Sequence, residues 1–302
     1  MSRTRVVVLF AVVALTWGGS FVAIEVGLDG LPALLFAAFR LDVAAVVALP
    51  LAFVLSERVI PRTRTALLGV AVNGVLVAAL MNAFLFAGQQ YTTGAVASIL
   101  FSTNPVIATG FARGLLPSER LDGVEFVGLL LGLLGVGIVV RPSVAALASG
   151  TLGKLLVLVG AANLALGSVL VGRLDSELDA LAETAWGLVV GAVVVHALSL
   201  LVGEPQVLPN SSTLVLAIGY VGVVATALAY PFYFELVDSV GPVRANLVSY
   251  AVPVVTAVTG WAVLGQRVGP VTVVGFGVVA AGFVLLNRTA FADLLTSRAS
   301  RA

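Results

Sequence analysis

The chain has no cysteine, a single histidine and few charges. Without cysteine there is no disulfide, no thiolate metal site and no thiol nucleophile, and the redox compartment leaves no mark on the sequence. His196 alone makes neither a metal site nor a catalytic triad, and its simplest reading is a hydrogen-bonded packing residue. Acidic and basic residues total 31 of 302, or 10%, where soluble domains carry about 25%. That supply cannot cover a soluble protein of this length. A net charge of +1 without a Lys/Arg cluster excludes nucleic acid as a partner. No Gly-x-x-x-x-Gly-Lys-Ser/Thr loop occurs, so ATP does not drive the protein directly.

What is present is apolar: 60% of residues are hydrophobic and the mean hydropathy is +1.13. A helix satisfies its own backbone in hydrocarbon and needs roughly 20 apolar residues to cross it. Ten stretches qualify: Val6 to Ile24, Pro32 to Leu55, Ala66 to Phe86, Thr93 to Phe111, Val124 to Val140, Leu152 to Val171, Glu183 to Leu201, Leu214 to Phe234, Val243 to Leu264 and Val271 to Leu286. Short connections rich in Pro and Gly join them, leaving no room for a soluble domain. Arg3 and Arg5 before the first stretch give it the look of a secretion signal, but nine apolar segments follow, so it is expected to be a span. The expected fold is therefore an all-α integral membrane protein of ten transmembrane helices.

Basic residues near span ends resist translocation. With the N-terminus inside, 12 Lys/Arg fall on the inner side against Arg141, Lys154 and Arg267 outside. Both termini are expected in the cytoplasm, with the chain in the cell (plasma or inner) membrane.

The sequence also repeats itself. A shift of 148 lays Ala79, Leu80, Phe84, Phe86, Ala97 and Pro105 on Ala227, Leu228, Phe232, Phe234, Ala245 and Pro253. A shift of 147 then lays Arg120, Gly128, Gly135 and Arg141 on Arg267, Gly275, Gly282 and Arg288. The expected units are residues 1–148 and 149–302, each with five spans. An odd number of spans turns the second unit upside down, the inverted-repeat plan of many secondary transporters.

Leu15-Thr16-Trp17-Gly18-Gly19-Ser20-Phe21, Phe39-Arg40, Pro105 with Pro253, and the Gly-rich fifth and tenth spans resemble the drug/metabolite transporter superfamily in its two-domain EamA type. The resemblance covers essentially the whole chain. It implies ten helices around a central cavity and a role in moving amino acids, other metabolites or drugs, mostly outward. The Gly-Glu pair that the family places after the fourth and ninth spans stands here as Ser118-Glu119 and Gly265-Gln266.

Polar residues inside apolar spans are the candidate cargo site, because a polar group facing lipid is costly. In the fourth span Ser98, Phe101, Ser102 and Pro105 share a face at i, i+3, i+4, i+7, and the shift places them on Asn246, Ser249, Tyr250 and Pro253. In the third span Asn82 and Phe86 share a face, and Tyr230 and Phe234 are their equivalents in the eighth, extended by Thr226 and Tyr233. Trp17 and Ser20 add a face of the first span, which the resemblance places beside the cavity. The bland alternatives are Ser and Thr bonding back to their own helix, Asn bridging neighbours, and Trp17 packing with its indole on a carbonyl. Arg40 and Asp42 lie roughly 12 to 15 Å inside their span, where charge is unfavourable by at least about 2.5 kcal/mol. Two residues apart, they point to nearly opposite faces. Arg40 matches the family's second-span Arg and can receive a carboxylate bidentately, or it can pair with Glu25 or a cluster of helix-end carbonyls. Asp42 is a candidate proton carrier. The glycines of the fifth and tenth spans are read as packing positions.

The expected function is a secondary transporter or facilitator of small organic metabolites, amino acids or related compounds among them, exporting by alternating access. No cofactor and no metal are expected. The expected partners are a small-molecule cargo and lipid, with a proton as the candidate coupled ion and a monomer as the plausible state. An enzyme would need an Asp-rich metal site, a His-Glu-x-x-His pair or a Ser beside a base, and none is found. A membrane receptor or assembly subunit is the alternative.

Overall fold

A computed structural model describes residues 3–116, 122–140, 151–174, 176–265 and 270–286, and every regular element among them is helical. Ten rods follow in chain order: α1 Arg3–Leu28, α2 Ala33–Leu55, α3 Arg64–Gln89, α4 Gly94–Leu115, α5 Gly123–Val140, α6 Thr151–Arg173, α7 Ala180–Leu201, α8 Ser212–Val240, α9 Pro242–Leu264 and α10 Pro270–Leu286. Eight of them, all but α5 and α10, are long and apolar enough to cross a membrane. The other two are shorter apolar helices whose only charge is Glu125.

Consecutive rods end at alternate faces, and polar contacts at each face tie the ends together. At one face Arg5 pairs with Glu235 at 2.6 Å and Arg244 with Glu125 at 3.3 Å. There the Asp179 carboxylate also accepts from the backbone N–H groups of Glu57 and Arg58, and Trp186 donates to the Val59 carbonyl. This is the face that carries most of the basic residues. At the opposite face Gly94 N–H donates to Glu25, Gln89 donates to the Phe21 carbonyl, and Leu34 and Leu35 N–H both donate to Glu204. The last contact caps α2, whose own N-cap is Pro32 and has no side chain to offer. The start of α5 is capped by Asp122, which accepts from Val124 and Glu125, while Glu125 reaches back to Asp122 N–H. The Ser118-Glu119 pair that precedes it lies outside the described residues.

Four rods depart from straight α-helix. In α3 the stretch Asn73–Met81 and in α8 the stretch Tyr220–Leu228 are wound as π-helix. Wide turns leave carbonyls without their usual partners, and side chains take them up: Asn82 donates to the Val77 and Ala78 carbonyls, and Thr226 to that of Val221. The rod α4 is interrupted at Ser102 and Thr103, just ahead of Pro105 in the first turn of the segment that follows. Proline has no N–H to continue the ladder. The rod α9 is interrupted at Leu247.

Glycines let the rods approach closely where they cross. A Cβ on Gly135 of α5 would stand 2.5 Å from Val279 N and 3.0 Å from Gly275 O of α10. One on Gly282 would stand 2.5 Å from Gly132 N and 2.8 Å from Gly128 O. The numbering runs up one helix as it runs down the other, so α5 and α10 are antiparallel. Gly132 also receives the Tyr250 ring of α9. The main core runs along the rods, and Phe36, Phe86, Tyr230 and Tyr233 within it are all fully buried.

Candidate functional site

Arg40 sits at the centre of this core. It is 4% exposed, on a helix whose inner face is otherwise built from Ala, Leu and Phe. No carboxylate among the described residues pairs with it. Glu25, one partner considered from sequence, instead caps α4 through Gly94. The guanidinium donates to Thr226 Oγ1 from Nε at 3.1 Å and from Nη2 at 2.7 Å, and to the Tyr230 hydroxyl at 3.3 Å. It lies over the Phe86 and Tyr230 rings, 5.3 Å and 5.9 Å from their centroids, a placement that favours a cation. Thr226, in the π-helical stretch of α8, and Tyr230, in the α-helix that follows it, stand side by side toward α2. Stretches of this kind recur at functional positions in helices.

Around the guanidinium is a hollow of about 20 Å³ lined by Trp17, Ser20, Arg40, Asn82, Phe101 and Tyr230 among others, room for about one water. Asn82 donates to the Tyr230 hydroxyl at 3.1 Å, so that hydroxyl accepts from both Arg40 and Asn82 and keeps its own proton to give. The Asn82 Oδ1 has no protein partner. A buried, unpaired acceptor, a spare phenol donor and a guanidinium without a counter-ion thus converge on one small space. Trp17 donates to the Ala225 carbonyl at 3.1 Å and packs against Tyr230 and Tyr233. Ser20 bonds back to the Trp17 carbonyl, and Phe86 stacks edge-on against Phe36.

The other residues singled out in the sequence are placed elsewhere. Ser98 and Ser102 bond back to the Ala95 and Ile99 carbonyls of their own helix. Asn246 joins Ser168, the Pro242 carbonyl and the Tyr233 hydroxyl. Tyr250 turns toward α5 and donates to the Leu129 carbonyl at 2.7 Å. Phe234 lines a second hollow, of about 640 Å³, at the basic face. Asp42 points away from Arg40 and meets His196 of α7 at 2.7 Å, the two side chains 43% and 34% exposed. Sequence reasoning passed over two buried polar residues of that second hollow, Asn73 and Glu183. The rule that singled out Arg40, a polar group within an apolar run, applies equally to both.

Ten apolar rods, eight of them long enough to cross a membrane, fit an integral-membrane protein with a few unspent polar groups in its interior. The family comparison agrees. The profile of the EamA-like transporter family matches residues 4–141 and again residues 151–288. The chain belongs to the EamA-like transporter family. Among curated relatives it is 29% identical over 273 residues to the "Uncharacterized inner membrane transporter YedA" of Escherichia coli strain K12, covering 90% of this chain and 87% of that one. It is 24% identical over 286 residues to a "Probable amino-acid metabolite efflux pump" of the same strain, covering 92% and 93%. It is 23% identical over 280 residues to the "Uncharacterized transporter YoaV" of Bacillus subtilis, covering 92% and 95%. A solved crystal structure shares the fold with a TM-score of 0.75 at 18% identity, over 98% of this chain and 99% of the other.

Proposed function

We propose that the chain is a secondary carrier or facilitator that exports small carboxylate-bearing metabolites, amino acids and related compounds among them, through the cell's inner or plasma membrane. Arg40 is the cargo anchor, with Asn82 and Tyr230 as its hydrogen-bonding companions and Trp17, Ser20 and Phe86 as the walls. The observation that carries this reading is the guanidinium itself: buried, held among the described residues by neutral groups only, and beside a space with an unpaired acceptor. A permanent charge in that setting favours whatever anion can reach it.

Two inverted halves, residues 1–148 and 149–302, rock about this centre and expose it to each side in turn. Support comes from the double family match, from π-helical stretches that begin 147 residues apart, and from the paired glycine contacts of α5 with α10. The hollow at the basic face and the closed hydrogen bonds at the opposite one suit a state open to the cytoplasm, with both termini on that side. The curated name of the efflux-pump relative points to cargo of the same kind.

Purified protein in proteoliposomes, loaded with radiolabelled amino acids and their carboxylate relatives, tests the reading. Release above protein-free vesicles, with and without a pH gradient, is the expected result. Absence of flux for every carboxylate tried would favour a receptor or assembly role.

A further inference from the structure

The hollow of about 640 Å³ at the basic face holds groups that the carboxylate reading leaves unused. Glu183, near the start of α7, is 5% exposed. Its carboxylate lies over Gly69 of α3, where a Cβ would stand 2.6 Å from Oε2. Asn73 of α3 is 1% exposed, and neither its Nδ2 nor its Oδ1 has a protein partner. It lies over Gly187 of α7. Gly69 and Asn73 are four residues apart, as are Glu183 and Gly187, so each helix offers a gap that receives the other's polar side chain. This exchange seats the carboxylate and the unpaired amide about one helical turn apart, about 5.4 Å along the rods. Both line the same hollow.

The other titratable groups lining it are Asp238 of α8 and Arg173 at the end of α6, both exposed at the mouth where water screens them. Asp238 adds negative charge toward Glu183, and Ser176 lines the same hollow. No basic side chain among the described residues forms an ion pair with Glu183. A buried carboxylate so placed favours a cation, and an amide with both ends unpaired needs a donor and an acceptor together. A primary ammonium meets the first demand and half of the second, giving N–H bonds to Glu183 and to Asn73 Oδ1. An oxygen on the same solute accepts from Asn73 Nδ2. An acid in the first turn of α7 also suits the helix dipole, but that role calls for neither the hollow nor the unpaired amide.

We infer that this hollow is a binding site for the ammonium end of an amine-bearing solute, with Glu183 as its counter-charge and Asn73 as the second hydrogen-bonding group. Resting on the transport reading, the inference makes the cargo a zwitterion, which docks by its amine at the cytoplasmic face before its carboxylate reaches Arg40.

The test uses the full chain in detergent and three matched sets of probes: alanine, propionate and ethylamine; leucine, 4-methylpentanoate and isopentylamine; phenylalanine, 3-phenylpropanoate and phenethylamine. Calorimetry reads binding to wild type, Glu183→Gln, Asn73→Leu and Arg40→Gln, each checked for monodispersity. The expected result is a loss of at least tenfold in amine and amino-acid affinity for Glu183→Gln and Asn73→Leu, with the acids unchanged. Arg40→Gln is expected to weaken acids and amino acids and to leave the amines alone. Equal losses across all probes in Glu183→Gln, or no binding of any amine by wild type, would overturn the inference. Amine binding that depends on Glu183 without flux of any cargo would sink the transport reading alone. Flux that is insensitive to Glu183→Gln would sink the inference alone.

Discussion

Replacing Arg40 by Gln separates a structural role from a cargo-binding role, because the two predict different patterns of stability and affinity. Without cargo, the substitution removes hydrogen bonds from a charged donor to Thr226 and Tyr230, each with a net value of about 1.5–3 kcal/mol. It also removes a buried charge that no carboxylate among the described residues compensates, whose desolvation costs several kcal/mol. The two effects are of similar size and opposite sign, so the empty variant is expected to unfold close to the wild-type temperature. With cargo bound the variant only loses. A charge-assisted contact contributes about 1.5–3 kcal/mol, which at 1.4 kcal/mol per decade is roughly tenfold to a hundredfold in affinity. Thermal unfolding in detergent, with and without a carboxylate cargo, and the KM for efflux from proteoliposomes measure both. The expected pattern is a retained Tm, loss of the cargo-induced Tm shift, and a KM raised at least tenfold. A variant that unfolds earlier than wild type and keeps its KM would refute the reasoning.

Asn82→Ala frees the Val77 and Ala78 carbonyls in the π-helical stretch and removes a bond to Tyr230, so efflux is expected to fall while membrane insertion, read by fractionation, is unchanged. Tyr250→Phe loses one bond to Leu129, about 1 kcal/mol; a lowered Tm with normal flux per folded molecule is expected, and lost flux at an unchanged Tm would return Tyr250 to the cargo site. Asp42→Asn is expected to abolish any pH-driven accumulation, and accumulation that persists in the variant dismisses Asp42 as a proton carrier. Glu204→Gln weakens the cap on Leu34 and Leu35; since the chain has no cysteine of its own, a single cysteine at Ser20 reports the outcome cleanly, and faster labelling from the opposite face is expected.

The rods were legible because burial in lipid demands long apolar runs, and the run ends lie within a few residues of the observed helix ends; the eighth, expected to stop at Phe234, continues to Val240. Its last two turns carry Glu235 and Asp238 into the polar face, which a hydropathy criterion cuts off. The centre of the site was legible where charge or aromatic polarity broke an apolar run, as at Trp17, Arg40, Asn82 and Tyr230. Spacing on one helix reads a face, but it does not say which neighbour that face meets. Tyr250 therefore shares a register with Asn246 yet reaches α5, and Ser102 spends its hydroxyl on its own backbone just before Pro105. The π-helical stretches were not legible at all. They shift the faces of α3 and α8 by a fraction of a turn, and only the set of carbonyls that Asn82 and Thr226 take up reveals them.

Asn82 and Tyr230 occupy corresponding positions 148 residues apart, and they touch. In an assembly of two identical chains such a spot would present the same chemistry twice, and a solute seated there could lie either way round. With an amide on one side and a phenol on the other, the seat has a left and a right. One polypeptide carrying both versions can therefore hold a lopsided molecule in a single orientation, something a pair of identical subunits could do only by breaking its own symmetry.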